Sequence, residues 1–155
     1  MSERSRSWEP GNWSAPTGRP RVLIEDPDGA IRWASESFLV REGFDVAACG
    51  GPEVMGRHTC PLVADGHCEL SAGADVVYTS LSWQSLKSRE VLMALRARHP
   101  GTPVVVEIPY PEVESFRDVL EGCHLVHTPV GRAAMVAAIR TALEQGVPEP
   151  AASPS

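Results

Sequence analysis

Three of the four cysteines in this chain of 155 residues lie close together, at Cys49, Cys60 and Cys68. His58 and His67 lie between them. Cysteine thiolates and imidazoles are the usual ligands of tetrahedral zinc, and thiolates also hold iron–sulfur clusters. Ten residues separate the first two cysteines and seven separate the next two, which is wider than the knuckle of common zinc sites.

The cysteine pattern leaves three interpretations open. Cys49, Cys60, Cys68 and His67 could bind zinc or an iron–sulfur cluster. Cys60 and Cys68 could instead form a reversible disulfide, or all three thiols could simply pack as small apolar groups. Cys123 is predicted to be a separate thiol of the core, because it precedes a strand at the far edge of the expected sheet.

A second set of chemically capable residues consists of an acidic turn, 25–29, and the hydroxyl groups Ser80, Ser82 and Ser85 around Trp83. A serine hydroxyl is a weak nucleophile unless a base is adjacent. No histidine can be placed beside Ser80 from the sequence, so catalysis is not predicted. The turn has no glycine-rich phosphate loop, which disfavours nucleotide or flavin binding.

Short apolar runs alternate with helical patterns along the body of the chain. The strands are predicted at 21–24, 44–48, 75–81, 103–108 and 124–127, and the helices at 30–42, 86–98, 111–121 and 131–145. A stretch rich in Gly, Pro and Cys, 49–73, is predicted to be a loop. Near-continuous apolar strands indicate a parallel sheet that is covered on both faces, and therefore a doubly wound α/β fold.

The composition suits one globular domain, predicted at 20–146, with a disordered arm at 1–19 and a disordered tail at 147–155. The net charge of −6 argues against direct binding to nucleic acid. No apolar stretch approaches the roughly 20 residues of a membrane span, and the N-terminus has no apolar signal core. A cytoplasmic location is therefore expected.

Several segments, in order and spacing, resemble the receiver domain of response regulators, the CheY-like family. They are 21–26 with 30–32, 39–46, 94–106 and the Thr128–Pro129 pair, which stands where the family has a lysine and a proline that is usually cis. The resemblance covers most of the chain. It implies a flavodoxin-like five-stranded parallel sheet of order 2-1-3-4-5, with the second helix replaced by the cysteine-rich loop.

The same resemblance implies that the family's phosphorylation chemistry is mostly lost here. The acidic pair that holds magnesium falls on Asp26 with a proline beside it, or on Glu25 and Asp26 if the register shifts by one residue. The phosphate acceptor falls on Ser80, which has no carboxylate, so magnesium is not expected. A one-residue misalignment would make Asp75 the acceptor, but Asp75 lies at the start of its strand, away from the ligand-binding edge.

Two further family positions have changed. The switch hydroxyl of the fourth strand falls on Ile108, which cannot donate a hydrogen bond. The lysine that pairs with the phosphoryl group falls on Thr128, which carries no charge. The resemblance therefore implies a pseudo-receiver without aspartyl phosphorylation.

The expected function is that of a stand-alone signalling protein, because no DNA-binding output domain follows. It would bind a protein partner, or a second copy of itself, through the face formed by 111–121, 124–127 and 131–145. One alternative is a metal- or redox-responsive regulator that senses through Cys49, Cys60 and Cys68. Another is small-molecule binding at the carboxyl ends of the strands.

Three other side chains have open roles. Trp13 is expected either to dock on the domain or to belong to a partner-binding segment. Trp83 is expected to form an aromatic surface or a lid over the altered pocket. Glu107 is expected to be a solvated carboxylate, or to replace lost pocket chemistry or bond to the loop after Ser80.

Overall fold

The computed structural model describes residues 13, 15–52 and 60–148. Five strands form one parallel sheet in the order β2-β1-β3-β4-β5. The strands are β1 Arg21–Glu25, β2 Asp45–Cys49, β3 Val76–Thr79, β4 Val104–Pro109 and β5 His124–Thr128. All four pairings are parallel. The predicted flavodoxin-like order is therefore confirmed.

Helices cover both faces of this sheet. They are α1 Gly29–Arg41, α2 Pro61–Asp65, α3 Glu69–Gly73, α4 Leu86–Arg98, α5 Arg117–Leu120 and α6 Arg132–Gln145. Two 3₁₀ turns, Tyr110–Glu112 and Glu114–Phe116, precede α5. No helix within the described ranges is long and apolar enough to cross a membrane.

Alternation of side chains along the strands divides the core in two. Val22 and Ile24 of β1 pack on one face with apolar residues of α1 and α6, such as Leu39 and Ile139. Leu23 packs on the other face, against residues of α2, α3 and α4. Because neighbouring side chains of a strand point to opposite faces, the cavity lined by Glu25 and the one lined by Asp26 lie on opposite sides of the sheet.

The prediction of a loop over 49–73 is wrong in its second half, where α2 and α3 form. Pro61 occupies the first turn of α2, a position that proline favours because its missing N–H would be unpaired there. Gly66 ends the helix with a φ of 74°. Leu62 and Leu70 are buried, so tertiary packing stabilises helices that are too short to persist alone. Residues 53–59, including His58, lie outside the described part of the chain.

The helix predicted over 111–121 is also largely replaced, by the two 3₁₀ turns and the four residues of α5. The buried Phe116 stands three residues from the partly buried Val113, a separation that lines up side chains along a 3₁₀ turn. The other helices and strands agree with the predictions to within one or two residues at each end, and β3 is the strand that is shorter at both.

Trp13 docks on the domain. Its indole Nε1 donates to the carbonyl of Leu70 at 2.9 Å, and its ring lies 5.3 Å from the Arg21 guanidinium carbon. Gly73 provides the space, because a Cβ there would lie 2.5 Å from Trp13 Cδ1. The predictions of a disordered arm and tail concern residues that lie mostly outside the described ones.

Candidate functional site

The carboxyl ends of the strands bring together the residues that the sequence comparison placed in the altered pocket. The backbone N–H of Ser80 donates to the carbonyl of Glu25 at 2.8 Å, which holds Ser80 directly beyond β3. The N–H of Asp26 donates to the carbonyl of Cys49 at 3.1 Å. Asp26 and Ser80 therefore leave adjacent strands at the same edge of the sheet.

Asp26 is presented on a rigid turn. Its Oδ1 accepts from the N–H of Asp28 at 2.8 Å, and its carbonyl accepts from Arg32 Nη1 at 2.7 Å. Asp28 in turn caps α1, because its Oδ1 accepts from the N–H groups of the next turn. Burial raises the pKa of Asp26, and the charge of Glu107 raises it further. The buried carboxylate of Asp26 is thus subject to charge repulsion from a second carboxylate, that of Glu107.

Glu107 is the second carboxylate, and it bonds to the pocket directly. Tyr78 Oη donates to Oε1 at 2.7 Å, and Ser80 Oγ donates to Oε2 at 3.2 Å. Trp83 Nε1 donates to the Glu107 carbonyl at 3.0 Å. Burial above all, and then Glu107, raise the pKa of Tyr78, so the phenol stays a donor. Glu107 is therefore not a free solvated carboxylate.

Burial and the hydrogen bond to Glu107 show where Trp83 lies. Its side chain is only 3% exposed, so it belongs to the core beside the pocket rather than to an open aromatic surface. Tyr78 is also buried, whereas Tyr110 is 72% exposed. The three aromatic residues therefore form no common surface.

Ile108 and Thr128, the two other positions that the resemblance singled out, lie on the paired strands β4 and β5. Ile108 is fully buried in β4, and Thr128 ends β5 before a cis peptide bond to Pro129. Thr128 borders an open cavity of about 360 Å³, together with Asp26 and Glu107. Arg132 also lines this cavity, and sequence reasoning missed it, because a charge four residues after the lysine position belongs to the next helix.

No nucleophilic set is assembled around Ser80. Its hydroxyl contacts a carboxylate, but the histidines that could act as a base are engaged elsewhere. His99 bonds to Ser71, and His124 bonds to the Gly146 carbonyl. His127 stacks edge-on with Tyr110, with 5.1 Å between ring centroids. Among the described residues, no histidine is placed beside Ser80, and the side chain that accepts the hydrogen bond of its hydroxyl is the Glu107 carboxylate.

The three cysteines converge on the other face of the sheet. Cys49, Cys60 and Cys68 line a partly enclosed space of about 30 Å³ together with Glu25, and we call this space the thiol cavity. Gly51 N–H donates to Cys49 Sγ at 3.4 Å. All four cysteines of the chain are free thiols, so the Cys60–Cys68 disulfide is not formed here.

Burial holds Cys49 and Cys60 in their protonated thiol form. Burial, followed by the charge of Glu25, raises the pKa of Cys49 to about 12, and burial also raises the pKa of Cys60. Protonated thiols react slowly with oxidants, which weighs against the redox interpretation. Cys123 does not line the thiol cavity, and burial raises its pKa to about 11.

The metal interpretation remains a prediction. Across the described ranges, no three histidine, cysteine, aspartate or glutamate side chains form a group that could hold a metal ion as they stand. His67 is exposed and does not line the thiol cavity. Glu25 takes the place beside the thiols that the sequence had suggested for His67. Its position after an apolar strand was the signal that could have revealed this.

No protein-family model matches the sequence, and no curated protein matches it significantly. Solved structures do match. A response regulator receiver protein from Sinorhizobium medicae WSM419 is similar at a TM-score of 0.63 with 18% identity, over 84% of this chain and 98% of that one. The receiver domain of NtrX from Brucella abortus is similar at a TM-score of 0.61 with 19% identity, over 80% and 98%.

A response regulator receiver domain protein from Clostridium thermocellum matches at a TM-score of 0.62 with 18% identity, over 81% of this chain and 95% of that one. The chain of 155 residues therefore has the receiver fold. At such low identity the likeness establishes the fold and not the activity. The pocket around Asp26, Ser80 and Glu107 must therefore be interpreted from its own residues.

Proposed function

We propose that this protein is a signalling protein with a receiver fold that acts by binding a partner protein, without aspartyl phosphorylation. The observation that carries the proposal is the bond between Ser80 and Glu107. The residue at the acceptor position has no carboxylate, and a fixed carboxylate already contacts it. A phosphoryl group at Ser80 would place a second negative charge against Glu107 and near Asp26, which is unfavourable in a partly buried site.

The loss of the switch hydroxyl supports a fixed rather than a phosphorylation-driven surface. Ile108, which the resemblance matches to the family's switch hydroxyl, is fully buried. It can pack but cannot follow a phosphoryl group by a hydrogen bond. Instead, Tyr78 of β3 and Trp83, in the loop after β3, donate hydrogen bonds to Glu107 of β4. With the bond from Ser80, three hydrogen bonds thus join the end of β3 and the loop after it to Glu107 of β4.

The proposed contact surface is the edge of the sheet at β5, with the 3₁₀ turns before it and α6 after it. Tyr110 is 72% exposed there and Leu125 is 37% exposed. His127 packs against Tyr110, which holds the aromatic ring in place on the surface. Exposed aromatic side chains are enriched in the centres of protein interfaces. A protein partner, or a second copy of this chain, suits this surface.

The phosphorylation part is tested with acetyl phosphate and Mg²⁺, followed by mass measurement of the intact chain. We expect no gain of a phosphoryl group. Labelling that disappears in Ser80→Ala would overturn the proposal. Asp75→Asn serves as the companion variant, because labelling lost there would identify Asp75 as the acceptor.

The surface is tested by placing a photo-crosslinking amino acid at position 110 and, separately, at position 33. Trp33 on α1 is the matched comparison, because it is 71% exposed and aromatic. Covalent adducts in the native cell from Tyr110 only would support the β5 face. Adducts from Trp33 only would place the interface on α1. If the adduct is a second copy of this chain, sedimentation of the purified chain should show a dimer.

A further inference from the structure

Glu25 is out of place in the core. It ends β1 after three buried apolar residues, and it is itself only 5% exposed. Its Oε1 makes no hydrogen bond of acceptable geometry, and neither does the Oγ1 of the neighbouring Thr79. Among the described residues no cation faces it across the thiol cavity. A buried carboxylate without a partner is costly unless a proton or a ligand neutralises it.

The surroundings of Glu25 indicate which ligand would do so. Cys49 belongs to β2, while Cys60 and Cys68 directly precede α2 and α3, so three separate segments bring thiols to one space. The volume of about 30 Å³ admits one water molecule or one ion without its hydration shell, and no organic ligand. Thiolates together with one carboxylate oxygen form a set of donors that Zn²⁺ accepts.

We propose that the thiol cavity is a binding site for a zinc-class divalent cation, held by the thiolates of Cys49, Cys60 and Cys68 and the carboxylate of Glu25. As described, these side chains do not form a group that could hold a metal ion, so the proposed binding requires them to rotate towards the ion. The ion replaces protons, and each thiol that becomes a ligand releases one. Binding therefore strengthens as the pH rises.

The metal site does not depend on the proposed partner-binding role. The thiol cavity lies between β1, β2 and the helices α2 to α4, whereas the proposed contact surface lies at the opposite edge of the sheet, at β5. Failure of one proposal leaves the other intact. The location also means that a bound ion would stabilise the segment between β2 and β3.

The test uses the full-length chain, freed of metal with a chelator and kept reduced. Zn²⁺ affinity is measured by competition with a chromophoric chelator, and Co²⁺ serves as a spectroscopic probe of thiolate ligation. Wild-type protein should bind one Zn²⁺ per chain, and bound Zn²⁺ should raise its unfolding temperature. The Co²⁺-loaded wild type should show a thiolate-to-cobalt charge-transfer band. Cys123→Ser is the matched control, because its thiol lies outside the cavity, and it should behave like the wild type.

Cys60→Ser and Cys68→Ser should each weaken Co²⁺ and Zn²⁺ binding and lower the intensity of the charge-transfer band. Glu25→Gln should weaken Zn²⁺ binding more than about tenfold, since loss of even an outer-shell partner costs about 10–100-fold. Circular dichroism without metal shows whether each variant is folded. A wild-type chain that binds neither ion, or cysteine variants that bind both as well as the wild type, would overturn the site. Unchanged affinity in Glu25→Gln would remove the carboxylate from the ligand set.

Discussion

The buried carboxyl group of Glu25 should make the stability of the metal-free protein fall as the pH rises. Burial raises its pKa from 4.5 to about 7, and the nearby Thr79 hydroxyl only partly opposes this. The folded state then keeps a proton that the unfolded chain releases. The contribution is fully present below pH 4.5 and is lost progressively as the pH rises towards 7. One pKa unit corresponds to about 1.4 kcal/mol, so the ionised folded state is destabilised by about 3 kcal/mol.

Glu25→Gln keeps the shape of the side chain and removes its titration. The free energy of unfolding should be measured by urea titration at pH 5 and pH 8, with chelator present, for the wild type and the variant. The difference between variant and wild type should shift in favour of the variant by about 2–3 kcal/mol between these pH values. Other titrating groups are common to both proteins and cancel.

The exposed Glu90 provides the control, because Glu90→Gln should show no such pH-dependent difference. A stability difference between Glu25→Gln and the wild type that is the same at pH 5 and pH 8 would refute the reasoning. It would mean that Glu25 titrates alike in the folded and unfolded states, and that its carboxylate is solvated or paired in solution.

Two other perturbations test the pocket and the arm. Tyr78→Phe removes the phenol that donates to the Glu107 carboxylate, and should destabilise the fold by about 1.5–3 kcal/mol in urea titration. A double-mutant cycle with Glu107→Gln that finds no coupling would contradict this. Gly73→Ala should displace Trp13, because the new Cβ would lie 2.5 Å from its ring. The indole N–H resonance of Trp13 should move to the value of an exposed indole, whereas Gly101→Ala, with open space around it, should leave the resonance unchanged.

Local patterns were sufficient to predict most of the fold. The apolar runs at 21–24 and 103–108 form buried parallel strands, and the helix predicted at 86–98 is α4 Leu86–Arg98. These segments are predictable because strand and helix periodicity reflect contacts that every residue of the segment makes with the same core. The short helices α2 and α3 were missed because burial of Leu62 and Leu70, rather than their own propensity, stabilises them.

The residue types of the pocket were also visible in the sequence. Residue type alone shows that Ser80 has no carboxylate, Ile108 no hydroxyl and Thr128 no positive charge, wherever their side chains point. The cysteines at 49, 60 and 68 were recognisable as a set for the same reason. In both cases the chemistry belongs to the residue and needs no geometry.

Tertiary structure decided which groups meet. Glu107 contacts Tyr78 and Ser80 because β3 and β4 are neighbours in the sheet, although 27 positions separate Ser80 from Glu107 along the chain. Glu25 turns to the thiol cavity while Asp26 turns to the pocket, because successive residues point to opposite sides of the sheet. The sequence alone therefore determined which residue types stand at the positions that resemble the family's phosphorylation site. The packing of the sheet and its helices decided which carboxylate stands beside which partner, because those contacts join residues that are distant in the chain.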